Sequence, residues 1–344
     1  MVETKVALRG RRSGRVRIED VAKKAGVSPI TVSRALRRPE MVSEESRAIV
    51  VKAMREIGYV PDLIAGSLAS NRTRIIAVVV STLESSVFAE PIDAIQETIG
   101  ADGYHVLVAN SGYAETKEEA MIAALLGRRP EGIILIGVTH TRTARDALKA
   151  ARIPIIEMWD LTDRPLDIVI GFSNFEAGRR LVHDLIEDGY KHIAHVTTGA
   201  RADSRAAARN RGYQAALAEA GLGPPWVIEV ERVQSYEGGR TAIAQLLAAD
   251  RPLDAVFFAN DVLAAGALFE CQARGIPVPR RLALAGFGDA ELSRHLTPAL
   301  TSVGVPRYEI GQKAAQLLLS RIRGEKIAKR IFDLGFTVIR RASA

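Results

Sequence analysis

The sequence predicts a chain of two unlike parts, an all-helical head built on a helix-turn-helix and an α/β core whose parallel strands fall into two subdomains. Three observations predict it. Ile18–Leu36 (IEDVAKKAGVSPITVSRAL) holds two short amphipathic segments on either side of one glycine. From Ile75 onward, apolar runs that read as buried strands alternate with helical patterns over the remaining 270 residues. Charge divides at the same place: residues 1–74 carry 16 Lys+Arg against 8 Asp+Glu, whereas residues 75–344 carry 31 against 32.

In the head, Val21, Ala22 and Ala25 lie on one helical face, and Val32, Ala35 and Leu36 repeat the pattern. Gly26 supplies the turn between them. Ser28 is a good N-cap, and Pro29 sits at the first helical position, where a missing N–H costs nothing. An ordinary helical hairpin would show the same periodicity. A whole segment with an excess of eight positive charges points instead to a polyanionic partner. No apolar run approaches the length of a membrane span, so a nucleic acid fits better than a bilayer. In a DNA-reading pair of this kind the second helix enters the major groove, with its N-terminal residues at the base edges. A third helix begins at the Ser43 cap, with Glu44 and Glu45 in its first turn and a stripe of Ile49, Val50, Ala53, Met54 and Ile57. Residues 1–15 are a basic arm without the apolar stretch of a signal peptide. Residues 61–74 read as a linker whose central two turns fold only with packing partners.

Strands are expected at IIAVVV, YHVLVAN, GIILIG, IPIIEM, HIAHVT, WVIEVERV, AVFFA and LALAGF, with helices between them, the last at Ile310–Arg323. Continuous apolar strands spaced by helices belong to parallel sheets covered on both faces. Ligands of such sheets bind at the carboxyl ends of the strands, here the cleft between the two subdomains. The single cysteine, Cys271, lies in an apolar helical run and reads as a small buried hydrophobe, in keeping with a reducing, cytoplasmic setting. No phosphate-binding, zinc-protease or nucleophile-elbow motif is present. His192 and His195 would face opposite sides of a strand and cannot share a metal. Neither a catalytic role, nor a metal, nor a cofactor is expected.

DVAKKAGVSPITVSRAL (Asp20–Leu36), YVPDLIAGSL (Tyr59–Leu68) and FANDVLAAG (Phe258–Gly266) resemble the DNA-binding signature, hinge and C-terminal-lobe motif of the LacI/GalR family of transcription regulators. Within that family VFAEPIDAI, GVTHT, LDIVIGFSNFEAGR, FECQARG and DLGFT look closest to the gluconate-utilisation repressors. The resemblance implies a headpiece over 16–60, a hinge helix within 61–74 and a two-lobed periplasmic-binding-protein-like core over 75–344. Its N-lobe would take about 75–172 and 303–330, its C-lobe about 173–302 and 331–344. It implies a homodimer on a pseudo-palindromic duplex operator, a small-molecule effector, no membrane and no enzymatic activity.

Carried over residue by residue, the recognition helix places Pro29, Ile30, Thr31, Ser33 and Arg34 at the DNA. Ile30 suits a thymine methyl, Arg34 a guanine, and Thr31 and Ser33 either phosphate or base. Leu68, with Ala65 beside it, would wedge into the minor groove. Asp62 and Gly66 depart from the family's hinge pattern: Asp62 repels phosphate although it is a good N-cap, and Gly66 lowers helix propensity. The effector pocket would draw on Ser86, Phe88, Asp160, Arg209 and Asn260, with Gln234 and Asp289 as weaker candidates. Gly288 stands where pyranose binders of the family carry an aspartate, which favours a sugar acid such as gluconate, paired with Arg209, over a neutral hexose. A transporter's solute-binding protein shares the two-lobed core, but the missing signal peptide and the head count against it.

Overall fold

The computed structural model describes residues 16–60, 72–84, 86–199, 203–231 and 235–344. It divides into two units, Met1–Thr73 and Arg74–Ala344. The first holds α1 (Ile18–Ala25), α2 (Pro29–Arg37) and α3 (Glu44–Ile57). Each boundary has a local cause. Asp20 accepts from the Arg17 N–H at 2.8 Å, Ser28 accepts from the Thr31 N–H, and Ser43 accepts from the Ser46 N–H. Gly26 and Gly58, both at φ +66°, end α1 and α3 in the left-handed conformation that glycine adopts without strain. Val21, Ala22, Val32, Ala35, Val50 and Ala53 form the head's small core. Ile49 is not part of it: at 43% exposure it faces solvent, because the i, i+3, i+4, i+7 face of α3 is Val50, Ala53, Met54 and Ile57.

Among the described residues the core unit contains two six-stranded sheets. In chain order its elements are β1 (Ile75–Val80), α4 (Ala89–Gly100), β2 (His105–Asn110), α5 (Glu115–Leu126), β3 (Gly132–Ile136), α6 (Arg142–Ala151), β4 (Ile155–Met158) and β5 (Ile168–Gly171). There follow α7 (Asn174–Glu187), β6 (Ile193–Thr198), α8 (Ser204–Glu219), β7 (Trp226–Val230), α9 (Tyr236–Ala248), β8 (Ala255–Phe258), α10 (Asp261–Ala273), β9 (Ala283–Phe287) and β10 (Thr301–Gly304). The chain finishes with α11 (Arg307–Ile322), β11 (Ile331–Asp333) and β12 (Thr337–Ile339). The first sheet runs β11-β5-β4-β3-β1-β2 and the second β12-β10-β9-β8-β6-β7. All pairings are parallel except β10 with β12. β3, β4, β5, β8 and β9 are buried at every position, as sheets covered on both faces require, while the edge strands β2 and β7 are partly exposed.

The chain crosses between lobes three times, after β5, after β10 and after β11. The third crossing lies past Asp333 and not at 330: Ile331–Asp333 pairs with Val169–Gly171 as the outer strand of the first sheet. Elements α6, β5 and β10–β12 are not announced by the sequence pattern. The α6 segment, RTARDALKAA, buries only Ala144 and Leu148, and the strands hold three or four residues each.

Helices α7 and α8 pack backbone against backbone. A Cβ at Gly178 would overlap the Arg209 carbonyl, and one at Gly212 would overlap the Phe175 carbonyl. Neither carbonyl can retreat, since both belong to helices. Gly212→Ala is therefore expected to destabilise the core by about 1–3 kcal/mol despite alanine's better helix propensity. Denaturant unfolding followed by tryptophan fluorescence measures this in the full chain, because both tryptophans, Trp159 and Trp226, lie in the core unit.

Candidate functional site

On the head, α2 sorts its residues cleanly. Val32 and Ala35 are buried, whereas Pro29, Ile30 and Arg34 are exposed, Ile30 to 63%. An isoleucine left that open on a three-helix unit with so little core has no packing role there. Thr31 and Ser33 are half-buried, and the Thr31 hydroxyl is 2.9 Å from that of Ser28 within the cap. The predicted hinge contacts Ala65 and Leu68, and the pocket candidate Gln234, lie outside the described residues.

In the core, the carboxyl ends of both sets of strands meet at a cleft with two adjoining chambers of about 60 and 170 Å³. Ser86, Phe88, Arg209 and Asn260 all line the smaller one. Phe88 is buried, and its ring meets Trp159 edge-on at 5.1 Å. Trp159, Phe172 and Phe287 continue the aromatic wall from one lobe to the other, at 6.3 and 6.0 Å between rings. The Arg209 guanidinium lies 4.2 Å over the Phe287 ring and donates to Asn174 Oδ1 at 2.6 Å. The Asn260 side-chain carbonyl accepts from the Leu263 N–H and so caps α10 at the chamber's edge.

Asp160 and Asp289 do not line either chamber. Asp160 accepts from the Leu161 N–H and the Asn174 amide, behind the wall. Its neighbour Trp159 lines the chamber instead, with φ at +77°, a conformation that a bulky residue adopts only where its surroundings impose it. Asp289 is held by Arg341, at 2.7 Å, on the C-terminal segment. Gly288, one residue earlier, does line the smaller chamber.

The sequence reading missed Arg205 and Asp203, which line both chambers. Arg205 is 4% exposed; it donates to Asp203 Oδ1 at 3.0 Å and to Ser81 Oγ at 2.9 Å. Burial alone would raise the Asp203 carboxyl, but the Arg205 and Arg209 guanidinium groups hold it below the usual carboxylate range. Burial pushes Asp160 and Asp261 upward and Arg209 downward, the last helped by its like-charged neighbour Arg205. Arg205 Nη1 and Arg209 Nε are fully buried and have no hydrogen-bond partner. Two buried cations with unused donors stand beside one carboxylate held ionised, an arrangement whose donors suit an anionic group.

No group of three or more His, Cys, Asp or Glu able to hold a metal occurs among the described residues, and none of their helices is long and apolar enough to cross a membrane. His195 Nδ1 donates to the Phe257 carbonyl, and burial lowers the imidazole to about 3. Cys271 is buried, which raises its thiol to about 11.

Residues 17–62 match the bacterial regulatory proteins of the lacI family, and residues 182–344 match the periplasmic binding protein-like domain. The HTH-type transcriptional regulator GntR of Escherichia coli K12 is 39% identical over 321 residues, 93% of this chain and 96% of its own. A LacI-family regulator from Silicibacter pomeroyi superposes with a TM-score of 0.89 at 33% identity, covering 95% of this chain and 99% of that one. The lac repressor dimer bound to operator and the anti-inducer ONPF superposes at 0.80 with 27% identity, covering 96% and 99%. With a basic helix-turn-helix head, a two-lobed core with a cleft and relatives alike over nearly their whole length, the chain belongs to the LacI family of bacterial transcriptional regulators.

Proposed function

We propose that this regulator holds a duplex operator as a homodimer and releases it when a sugar acid such as gluconate binds the cleft. The observation that carries the effector's charge is the pair of buried, partnerless donors, Arg205 Nη1 and Arg209 Nε. A monoanionic carboxylate offers the two acceptor atoms that such donors need. Gly288 supports the same reading, since no carboxylate from that position lines the smaller chamber to repel an acid. The words shared with gluconate-utilisation repressors give the class of acid.

On the DNA side, Ile30 and Arg34 read bases at the exposed start of α2, with Pro29, Thr31 and Ser33 around them. Leu68, supported by Ala65, enters the minor groove and bends the duplex. The effector touches both lobes, through Ser86 and Phe88 on one side and Arg209 and Asn260 on the other. It draws them together about the three crossings, and operator affinity falls through coupling of about 1–3 kcal/mol.

The test uses the full chain and a duplex that the protein itself selects from a random library. Gluconate or a related aldonate is expected to bind by calorimetry and to release the duplex in a gel shift, and Arg34→Ala to lower affinity for that duplex by about 1–3 kcal/mol. Tight binding of a neutral hexose with none of any aldonate would sink the sugar-acid reading. Tighter DNA binding on adding the acid would reverse its sign.

A further inference from the structure

The larger chamber is lined by Arg205 but not by Arg209, and it reaches the carboxyl ends of β1, β2 and β3. It is almost three times the volume of the smaller one and joins it through Tyr113, Asp203 and Arg205. Its walls are mostly hydroxyl and carboxylate: Ser81 after β1, Ser111 after β2, Thr139 after β3, and Glu118 on the first turn of α5. Of these, Glu118 is the unexpected one. It is a carboxylate with its side chain only 10% exposed, and its Oε2 lies 3.0 Å from His140 Nδ1. The other face of that imidazole meets Glu157 Oε1 at 3.4 Å, on a side chain with no exposure at all. Glu157 also accepts from the Leu166 N–H at 2.6 Å, so its position is set from two directions. The imidazole thus stands between two buried carboxyl groups. Glu118 lines the chamber, and the hydrogen bond to His140 occupies only its Oε2.

We infer that this chamber receives the hydroxylated chain of the effector, and that Glu118 selects it by accepting from its hydroxyls and repelling a second acidic group. His140 and Glu157 are positioning residues that hold Glu118 in place. The inference rests on the sugar-acid reading of the cleft and narrows it to open-chain monocarboxylates with neutral polyol tails. A ligand whose carboxylate sits at Arg205 and Arg209 extends past Arg205 into the larger chamber. There Ser81, Ser111 and Thr139 are able to donate or accept, while Glu118 only accepts. A terminal carboxylate or phosphate would meet a buried like charge, and an alkyl chain would leave the wall's polar groups unpaired.

Calorimetry on the full chain with four probes tests this: gluconate, glucarate, hexanoate and glucitol. Gluconate is expected to bind at least about 100-fold tighter than either glucarate or hexanoate, because one adds a repelled charge and the other removes every hydroxyl. Glu118→Gln is expected to weaken gluconate and to narrow the gap to glucarate, with tryptophan fluorescence checking that it folds. Wild-type protein binding glucarate or hexanoate as tightly as gluconate would overturn the role of the chamber and leave the acid reading intact. Binding of glucitol with no carboxylate bound would overturn the acid reading, and with it the claim of a monoacid. The wild-type comparison decides the matter even if the variant does not fold.

Discussion

Arg209→Met is expected to weaken sugar-acid binding by about 2–5 kcal/mol, roughly 30- to 4,000-fold, with no loss of folding stability. The two effects part because the native arginine is a costly residue. It is buried, its charged form is disfavoured by that burial and by Arg205, and its Nε has no partner. Methionine keeps much of the packing against Phe287 and removes the unmatched charge. Calorimetry with gluconate and urea unfolding on the same sample give both numbers. A variant that binds gluconate normally would take Arg209 out of the site. One that merely unfolds would show that Asn174 needs its cation more than the cleft needs relief from it. Operator affinity without effector is expected to stay unchanged, since Arg209 lines the cleft and takes no part in the DNA-reading helix α2.

His140→Gln is expected to cost the core about 3–5 kcal/mol, because it strands two buried carboxylates without their shared cation. The pH dependence gives the cause. Burial alone would lower the His140 imidazole, but the hydrogen bond with Glu118 and the nearby carboxyl groups of Glu118 and Glu157 outweigh it and raise it to about 9. A group raised on folding stabilises fully below its unfolded value, near 6.5, and that contribution is lost as pH climbs through the folded value. Unfolding free energies of wild type and variant should therefore differ most at pH 6. Wild type should lose about 3 kcal/mol of its advantage by pH 9.5. A gap that is constant between those pH values would mean that the imidazole is neutral in the native protein.

Much of this was legible in the sequence, for reasons that differ from place to place. The apolar runs of β1, β3, β8 and β9 announce buried parallel strands because both faces are covered. Ser28, Pro29, Gly26 and Gly58 mark helix ends because capping is local chemistry. Arg205 was not separable from Arg209, since both stand in SRAAARNRGY and only the fold shows that each is buried with an idle donor. Asp160 against Trp159 is a matter of one residue at a strand end, where neighbours face opposite ways and the left-handed turn at Trp159 selects which one lines the cleft. Asp289 faces away because Arg341 comes from 52 residues further along, which no local pattern carries. The triad of Glu118, His140 and Glu157 joins three separate elements for the same reason.

The three crossings have a consequence for how the molecule is made. The head's core closes with residues up to Tyr59, so it is complete once the first sixth or so of the chain has left the ribosome. The first lobe has to wait for the whole stretch from α7 to β10: its outer strand β11 and the helix α11, which packs on α4, come from residues 307–333. Domains tend to fold in the order of their synthesis, and pairings distant in sequence are slow. During translation there is accordingly a period in which each nascent chain owns a finished DNA-reading head and no working cleft. A chain cut short before Arg307 would keep that head and never acquire a cleft to govern it.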